Sequence, residues 1–387
     1  MEKVRIGIIG YGNMGSGHSN YLIKGEVQNA ELTALCDSNP DKLAVAKENL
    51  GENIAYFDDY KKMLDSKLVD LIIIAVPHYF HPIMGMDALN LGIHVLSEKP
   101  IGVYTKNVEE MDKLAKKSGL TYSIMFQSRT HSHNLKIKQL IEDGVLGELK
   151  RIVWIVTNWY RSQSYYDSGG WRATWAGEGG GVLINQCPHN LDLWQWFFGL
   201  PEKITGFCDF GKYRDIEVED DVTAYMQYKN GATGVLITTT GETPGTNRLE
   251  ISGDNGKLVY EHGEITFYKT EMSEKEFNST SKSGFGQPKH EKIKIEVDNK
   301  GGAHKIITQN TVNNILFKEP LIAEAYEGIN SLTLSNSMYL STWINDTVTL
   351  PIDKDLYLDE LNKRIKDSKH KDVGIEKIAD LTGSTNM

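Results

Sequence analysis

From Val4 to about Ser128 short apolar runs alternate with amphipathic segments, and this pattern predicts a doubly wound parallel sheet. Strands are expected over residues 4–10, 31–37, 69–77, 94–99 and 121–127. The stretch Leu71 to Val76 is apolar at every position, as a strand covered on both faces should be. Helices are expected between the strands over residues 40–50, 60–65, 81–91 and 108–118, the last two closed by Gly92 and Gly119.

Beyond Arg129 the period changes. A helix over 134–143 leads to a β-prone run over 149–159. Alternating segments over 204–210, 222–228, 233–240, 248–252 and 257–260 predict an antiparallel sheet with polar turns such as Lys229-Asn230-Gly231. Residues 271–290 read as an exposed loop or hairpin, followed by helices over about 303–317 and 323–343. The tail from Lys354 is charged at first, then rich in Ser, Thr and Gly, with an end expected to be mobile.

Within the first unit, the run Val4 to Ile9 enters Gly10-Tyr11-Gly12-Asn13-Met14-Gly15 and leaves as a helix. That strand–turn–helix is a phosphate site in form. Gly10 permits the tight turn, Gly12 lets backbone approach a pyrophosphate, and Gly15 lets helix pack on strand. The helix start offers N–H groups and a positive dipole end. Asp37 follows Gly15 by 22 residues, at the end of the second strand, where a carboxylate accepts from both ribose hydroxyls. The alternative is a glycine-rich turn with no ligand, but strand, helix and acid together point to a dinucleotide. Asp37 favours NAD over NADP, since it repels a 2′-phosphate.

These readings give an α/β chain divided into a dinucleotide-binding domain (residues 1–128), a substrate-binding α+β domain with a large open, mostly antiparallel sheet (129–353) and a tail (354–387). Its length of 387 residues suits two cores, and 40% hydrophobic with 24% charged residues is ordinary for a globular protein. A net charge of −10 argues against a nucleic-acid partner. No apolar stretch approaches the ~20 residues of a membrane span. Cys36, Cys187 and Cys208 have no disulfide or metal-ligand spacing, and no metal site is expected. With the first strand beginning so near the N-terminus, the expectation is a cytoplasmic protein without a signal peptide.

Sheets of this kind bind ligands beyond the carboxyl ends of their strands, which lines up Gly10–Gly15, Asp37, Pro77, His78, Glu98, Lys99 and Gln127. Lys99, held by Pro100, reads either as a solvated charge or as an ammonium that stabilises a substrate alkoxide beside a nicotinamide. A second group is Gly179-Gly180-Gly181 and the segment carrying Asn185, His189 and Asp192, spaced to share one helix face if the helix starts near Asn185. His189 reads either as a satisfied half-buried histidine or as a general base. Tyr160, Arg161, Tyr165, Tyr166, Trp171 and Arg172 form an aromatic and arginine cluster, suited to stacking a sugar or to building a core or interface.

In this order and spacing, the glycine turn, Asp37, Pro77-x-x-x-His81, Glu98-Lys99-Pro100 and the triple glycine with His189-x-x-Asp192 resemble the Gfo/Idh/MocA oxidoreductases over about residues 4–351. The resemblance implies an NAD-binding Rossmann domain, an open sheet often packed against another subunit, and a homo-oligomer, dimer or tetramer. It implies catalytic positions for Lys99 and His189, and cofactor contacts from the glycine turn, Asp37, Pro77, His81, Glu98, Lys99 and Gln127. Tyr160, Arg161, Trp171, Arg172, Asn185, His189 and Asp192 are then the expected substrate contacts, with Lys99. Many members carry an aspartate where this chain has Asn185, which leaves Lys99 or Asp192 to share the acid–base work. The expected activity is NAD-dependent oxidation of a ring hydroxyl in a sugar, glycoside or cyclic polyol. The alternatives are a glycosidase-like enzyme that retains NAD for transient oxidation, and a non-catalytic cofactor-binding regulator.

Overall fold

The computed structural model describes residues 2–369. Its first part runs β1 (Val4–Ile9), α1 (Asn13–Ile23), β2 (Ala30–Cys36), α2 (Pro40–Leu50), β3 (Ala55–Phe57), α3 (Tyr60–Asp65), β4 (Leu71–Ile74), α4 (Phe80–Asn90), β5 (His94–Ser97), α5 (Thr105–Ser118) and β6 (Tyr122–Ile124). The strands lie in the order β3-β2-β1-β4-β5-β6 and every neighbouring pair is parallel. β4 is buried at all its positions, matching its unbroken apolar sequence. β3 is an addition to the expected strands, too short to show a period.

The second part comprises α6 (Ser132–Glu142), β7 (Leu149–Val156), α7 (Gln163–Tyr166), α8 (Pro188–Phe198), β8 (Lys203–Phe210), β9 (Glu219–Gln227), β10 (Thr233–Thr239), β11 (Asn247–Gly253), β12 (Gly256–Glu261), β13 (Glu264–Thr270), α9 (Glu274–Thr280), β14 (His290–Ile295), α10 (His304–Phe317), α11 (Ala325–Ile344), β15 (Val348–Thr349) and α12 (Lys354–Asp367). Nine strands form one sheet ordered β14-β13-β12-β11-β7-β10-β9-β8-β15. It is antiparallel except where β10 runs parallel to β7. One face packs on α8 and α11, burying Ile204, Cys208, Ala224 and Leu236, while Phe207 and Tyr225 stand exposed on the other.

Three expectations need correction. The helix carrying His189 begins at Pro188, because proline is favoured at the first helical position and lacks the N–H an earlier start would use. Asn185 therefore lies in the turn before the helix, not on its face. The stretch 271–290 holds the exposed helix α9 and ends on edge strand β14. The charged segment after Lys354 is α12, anchored by buried Tyr357 and Leu361; the tail beyond Lys369 lies outside the described residues. Helix α10, late in sequence, returns to the parallel sheet, where Ile307 and Val312 join a core with Val4, Ile6 and Ile8.

Candidate active site

The glycine turn has the shape its sequence implies. Gly10 sits at φ +96°, and a Cβ there would lie 2.3 Å from the Ala75 carbonyl oxygen. A Cβ on Gly15 would lie 1.9 Å from the Gly10 oxygen, so helix and turn touch through backbone. Gly12 differs: a Cβ there meets nothing within 4 Å, which leaves open space over the start of α1. No side chain caps that helix start, so its N–H groups remain for a ligand, and Asn13 and Met14 are half-buried beside it. Asp37 clasps the turn, accepting from the Tyr11 N–H at 2.7 Å and the Asn39 N–H at 2.9 Å. An open cradle at a helix N-terminus with a half-buried carboxylate at its far side fits a dinucleotide.

Along the same sheet edge, His81 is buried with its ring between the Val76 and Pro100 carbonyl oxygens, 2.8 and 2.7 Å away, so it bridges the exits of β4 and β5 around Pro77. Glu98 is also buried. Burial by itself would raise its pKa, but the His18 ring, 2.7 Å away, outweighs that and holds the carboxyl at about 2.

Lys99 reaches across to the second part of the chain, where its Nζ donates to the main-chain carbonyl of Asn185 at 2.9 Å. Burial pulls the lysine pKa down, and the carboxylates of Glu98 and Glu178 partly oppose it. His189 stands in the same wall. Its Nε2 lies 3.3 Å from Gln127 Nε2, and Phe126 meets its ring edge-on. Burial, reinforced by the Lys99 charge, holds its pKa well below the usual imidazole value, which keeps the ring neutral. His189 Nδ1 and Gln127 Oε1 are buried without a hydrogen-bond partner among the described residues. Such orphans cost about 1–3 kcal/mol each and mark where a ligand's polar groups belong.

The triple glycine sets this wall. Side chains there would strike Val103 at Gly179 (2.4 Å), the Tyr339 hydroxyl at Gly180 (2.2 Å) and the Glu219 carbonyl at Gly181 (2.0 Å). Buried Glu219 secures the loop by accepting from the Gly181 N–H, the Leu183 N–H and the Tyr339 hydroxyl at 2.9, 2.8 and 2.7 Å.

The structure does not bring every expected residue to this point. Asp192 is fully buried and grips Arg129 through two hydrogen bonds of 2.6 and 2.8 Å, with Glu327 on the other side of the guanidinium at 2.7 Å. Its carboxylate is spent on that pair. In the aromatic cluster, guanidinium groups lie over the rings: Arg161 over Tyr165, Arg172 over Tyr165 and Trp171, and Arg214 over Tyr160. A cavity of about 640 Å³ bordered by Leu200, Tyr228, Ile329 and Pro351 contains none of these residues.

One functional group escaped the sequence reading. Glu178, buried next to the first glycine of the triplet, accepts from the Asn185 side-chain amide through one oxygen and from the Ala173 N–H at 2.6 Å through the other. Its backbone carbonyl lies 3.0 Å from His78 Nδ1. No motif spacing marks Glu178; only an acid flanking a glycine triplet hinted at it.

Residues 4–126 match the model of an oxidoreductase family with an NAD-binding Rossmann fold. Residues 134–259 match the Gfo/Idh/MocA C-terminal domain, so the two together span more than half of the chain. The chain belongs to the Gfo/Idh/MocA oxidoreductase family. Its first part is therefore an NAD-binding Rossmann domain. Among relatives in this family, D-glucoside 3-dehydrogenase of Escherichia coli K12 is 29% identical over 253 residues, 61% of this chain and 69% of that protein. Myo-inositol 2-dehydrogenase of Thermotoga maritima is 25% identical over 261 residues, 66% of this chain and 74% of that one. The WlbA dehydrogenase of Bordetella pertussis, solved with NADH and UDP-GlcNAcA, superposes with a TM-score of 0.76 at 25% identity, covering 91% of this chain and all of that one. Among the described residues no helix is long and apolar enough to cross a membrane, and no group of three or more His, Cys, Asp or Glu side chains is placed to hold a metal.

Proposed function

We propose that this protein is an NAD-dependent dehydrogenase that oxidises a ring hydroxyl of a sugar, glycoside or cyclic polyol. The reading is carried by the meeting of Lys99, from the end of β5, with Asn185 in the wall that bears His189. A cation can stabilise the developing alkoxide and a neutral imidazole can accept the hydroxyl proton in alcohol oxidation. The named activities of the glucoside and inositol relatives agree with it.

Gly10, Gly12, Gly15, the start of α1 and Asp37 would hold NAD, which when bound supplies the hydride acceptor. Lys99 Nζ donates a hydrogen bond to the substrate oxygen and stabilises its growing negative charge. His189 takes the hydroxyl proton. Rotating the Gln127 amide would let its Oε1 accept from His189 Nε2–H and leave the Nδ1 lone pair for that proton. Glu178, which holds the Asn185 side-chain amide, supplies the negative charge that Asn185 lacks and acts on Lys99 through its field. Asp192 has no part in this chemistry.

Two further readings belong here. The exposed Phe207 and Tyr225 on the open sheet face support self-association of the chain. Three free, buried cysteines suit a reducing compartment such as the cytoplasm.

The test is a panel of sugars, glycosides and polyols with NAD, followed by NADH absorbance. Lys99→Ala should lower turnover by about 10²–10³-fold while NADH still binds. Turnover of the Lys99→Ala variant equal to that of the parent removes Lys99 from the mechanism. Release of an aglycone without net NADH would instead identify transient oxidation.

A further inference from the structure

The aromatic cluster beside the site presents charge rather than bare rings. Arg172 lies 4.7 Å from the Tyr165 ring centre and 4.6 Å from that of Trp171, and its Nη1 donates to the Tyr165 hydroxyl at 3.0 Å. Arg161 lies 5.3 Å from the Tyr165 ring centre. Arg214, on the loop between β8 and β9, lies 5.1 Å from the Tyr160 ring centre and donates through Nε to the Arg161 carbonyl at 2.7 Å. Stacking fixes each guanidinium by its face; in the plane Arg161 Nη1 donates to the Tyr160 carbonyl and Arg214 Nη1 to the Tyr213 carbonyl, each at 2.8 Å, and the remaining N–H groups are left for a ligand.

Little within the chain neutralises these groups. Among the described residues no carboxylate stands within 4 Å of Arg161 or Arg214, and the one near Arg172 is Glu178 at 3.9 Å. Glu178 already accepts from Asn185 and Ala173. All three arginines are half-buried, so water screens them less than surface charges. They also adjoin the site: the Tyr165 hydroxyl that receives Arg172 also receives Gln186 Nε2 at 3.4 Å, one residue from Asn185. Arg161 and Arg172 both act unfavourably on the Lys99 charge, and a bound anion would relieve that repulsion.

We propose that Arg161, Arg172 and Arg214 form an anion-recognition edge beside the Lys99 site, and that the substrate is a sugar bearing a carboxylate or phosphate. The proposal rests on the dehydrogenase reading only for the word substrate; the anion edge stands on the arginines. The N–H groups still available on the stacked guanidiniums match either oxyanion, whereas the ring faces a neutral sugar would stack on are covered by the arginines.

The experiment is calorimetric titration of the NADH-bound protein with D-glucose, D-glucuronate and D-glucose 6-phosphate. At least one charged probe should bind about ten-fold or more tightly than D-glucose, with binding that weakens as salt rises. Comparing glucuronate with the phosphate tells which anion the edge prefers. Arg161→Gln, Arg172→Gln and Arg214→Gln should each reduce that preference several-fold, with NADH affinity kept as the control for folding. Equal binding of all three probes, no binding of either charged one, or glutamine variants that keep the preference each overturn the proposal. Charged probes that bind while no sugar on the panel yields NADH would leave the anion edge and remove the dehydrogenase. Turnover of neutral sugars without charge preference would do the reverse.

Discussion

Asn185 carries no charge, yet the lysine it faces does not lack a carboxylate. Glu178 holds the Asn185 amide with one oxygen, and its charge raises the Lys99 pKa against the downward pull of burial. On the proposed reading, Glu178 supplies by its charge what an aspartate at position 185 would supply directly. Glu178→Gln removes the charge and keeps the shape. Lys99 should then lose its proton at lower pH, moving the alkaline limb of the rate profile downward and cutting kcat about ten-fold. The double variant Glu178→Gln with Asn185→Asp returns a carboxylate one hydrogen bond away, and both effects should reverse. A double variant that stays folded but gains nothing over the single one makes Glu178 a structural residue only.

At the scale of elements, two glycines of one turn have separate tasks. Gly15 is needed by the fold, because its Cβ would press on the Gly10 backbone, whereas the space over Gly12 is open. Gly15→Ala should therefore destabilise the apoprotein by ~1–3 kcal/mol, seen as a lower thermal midpoint. Gly12→Ala should leave that midpoint unchanged and weaken NADH binding about ten-fold or more, measured by fluorescence titration. If Gly12→Ala binds NADH like the parent, the cradle does not hold the pyrophosphate. This turn was legible in the sequence because its glycines, strand and acid obey one local geometry. The strands β1, β2, β4, β5 and β6 were legible for a similar reason, their apolar runs reflecting burial on both faces. What stayed hidden depends on partners distant in sequence. Nothing local foretells that β10 pairs parallel with β7, that α10 returns to the first core, or that Glu178 faces Asn185. Edge strand β14 has no fully buried residue, so its sequence carries little of the period that marks a strand.

Over the whole molecule, the site is a seam between the two sheets, and its precision depends on how the seam is fastened. Lys99 to Asn185 is one tie; Val103 against Gly179 is another. On the first-sheet side, Glu98 next to Lys99 is held through His18 and Tyr21 by Thr308 on α10, with contacts of 2.7, 2.6 and 2.7 Å. A further tie is Arg129, placed after β6, which joins Asp192 of α8 to Glu327 at the start of α11 and stacks between Phe126 and Trp196. A buried triad of this kind adds little net stability over apolar residues of the same shape, but removing one partner strands a charge and costs about 3–5 kcal/mol. Asp192→Asn should lower the thermal midpoint by roughly 5 °C or more. At temperatures where the variant stays folded, KM for the sugar should match the parent, because the carboxylate faces Arg129 and not the Lys99 site. The opposite pattern, an unchanged midpoint with KM raised by an order of magnitude, would return Asp192 to the substrate and require a different orientation of α8.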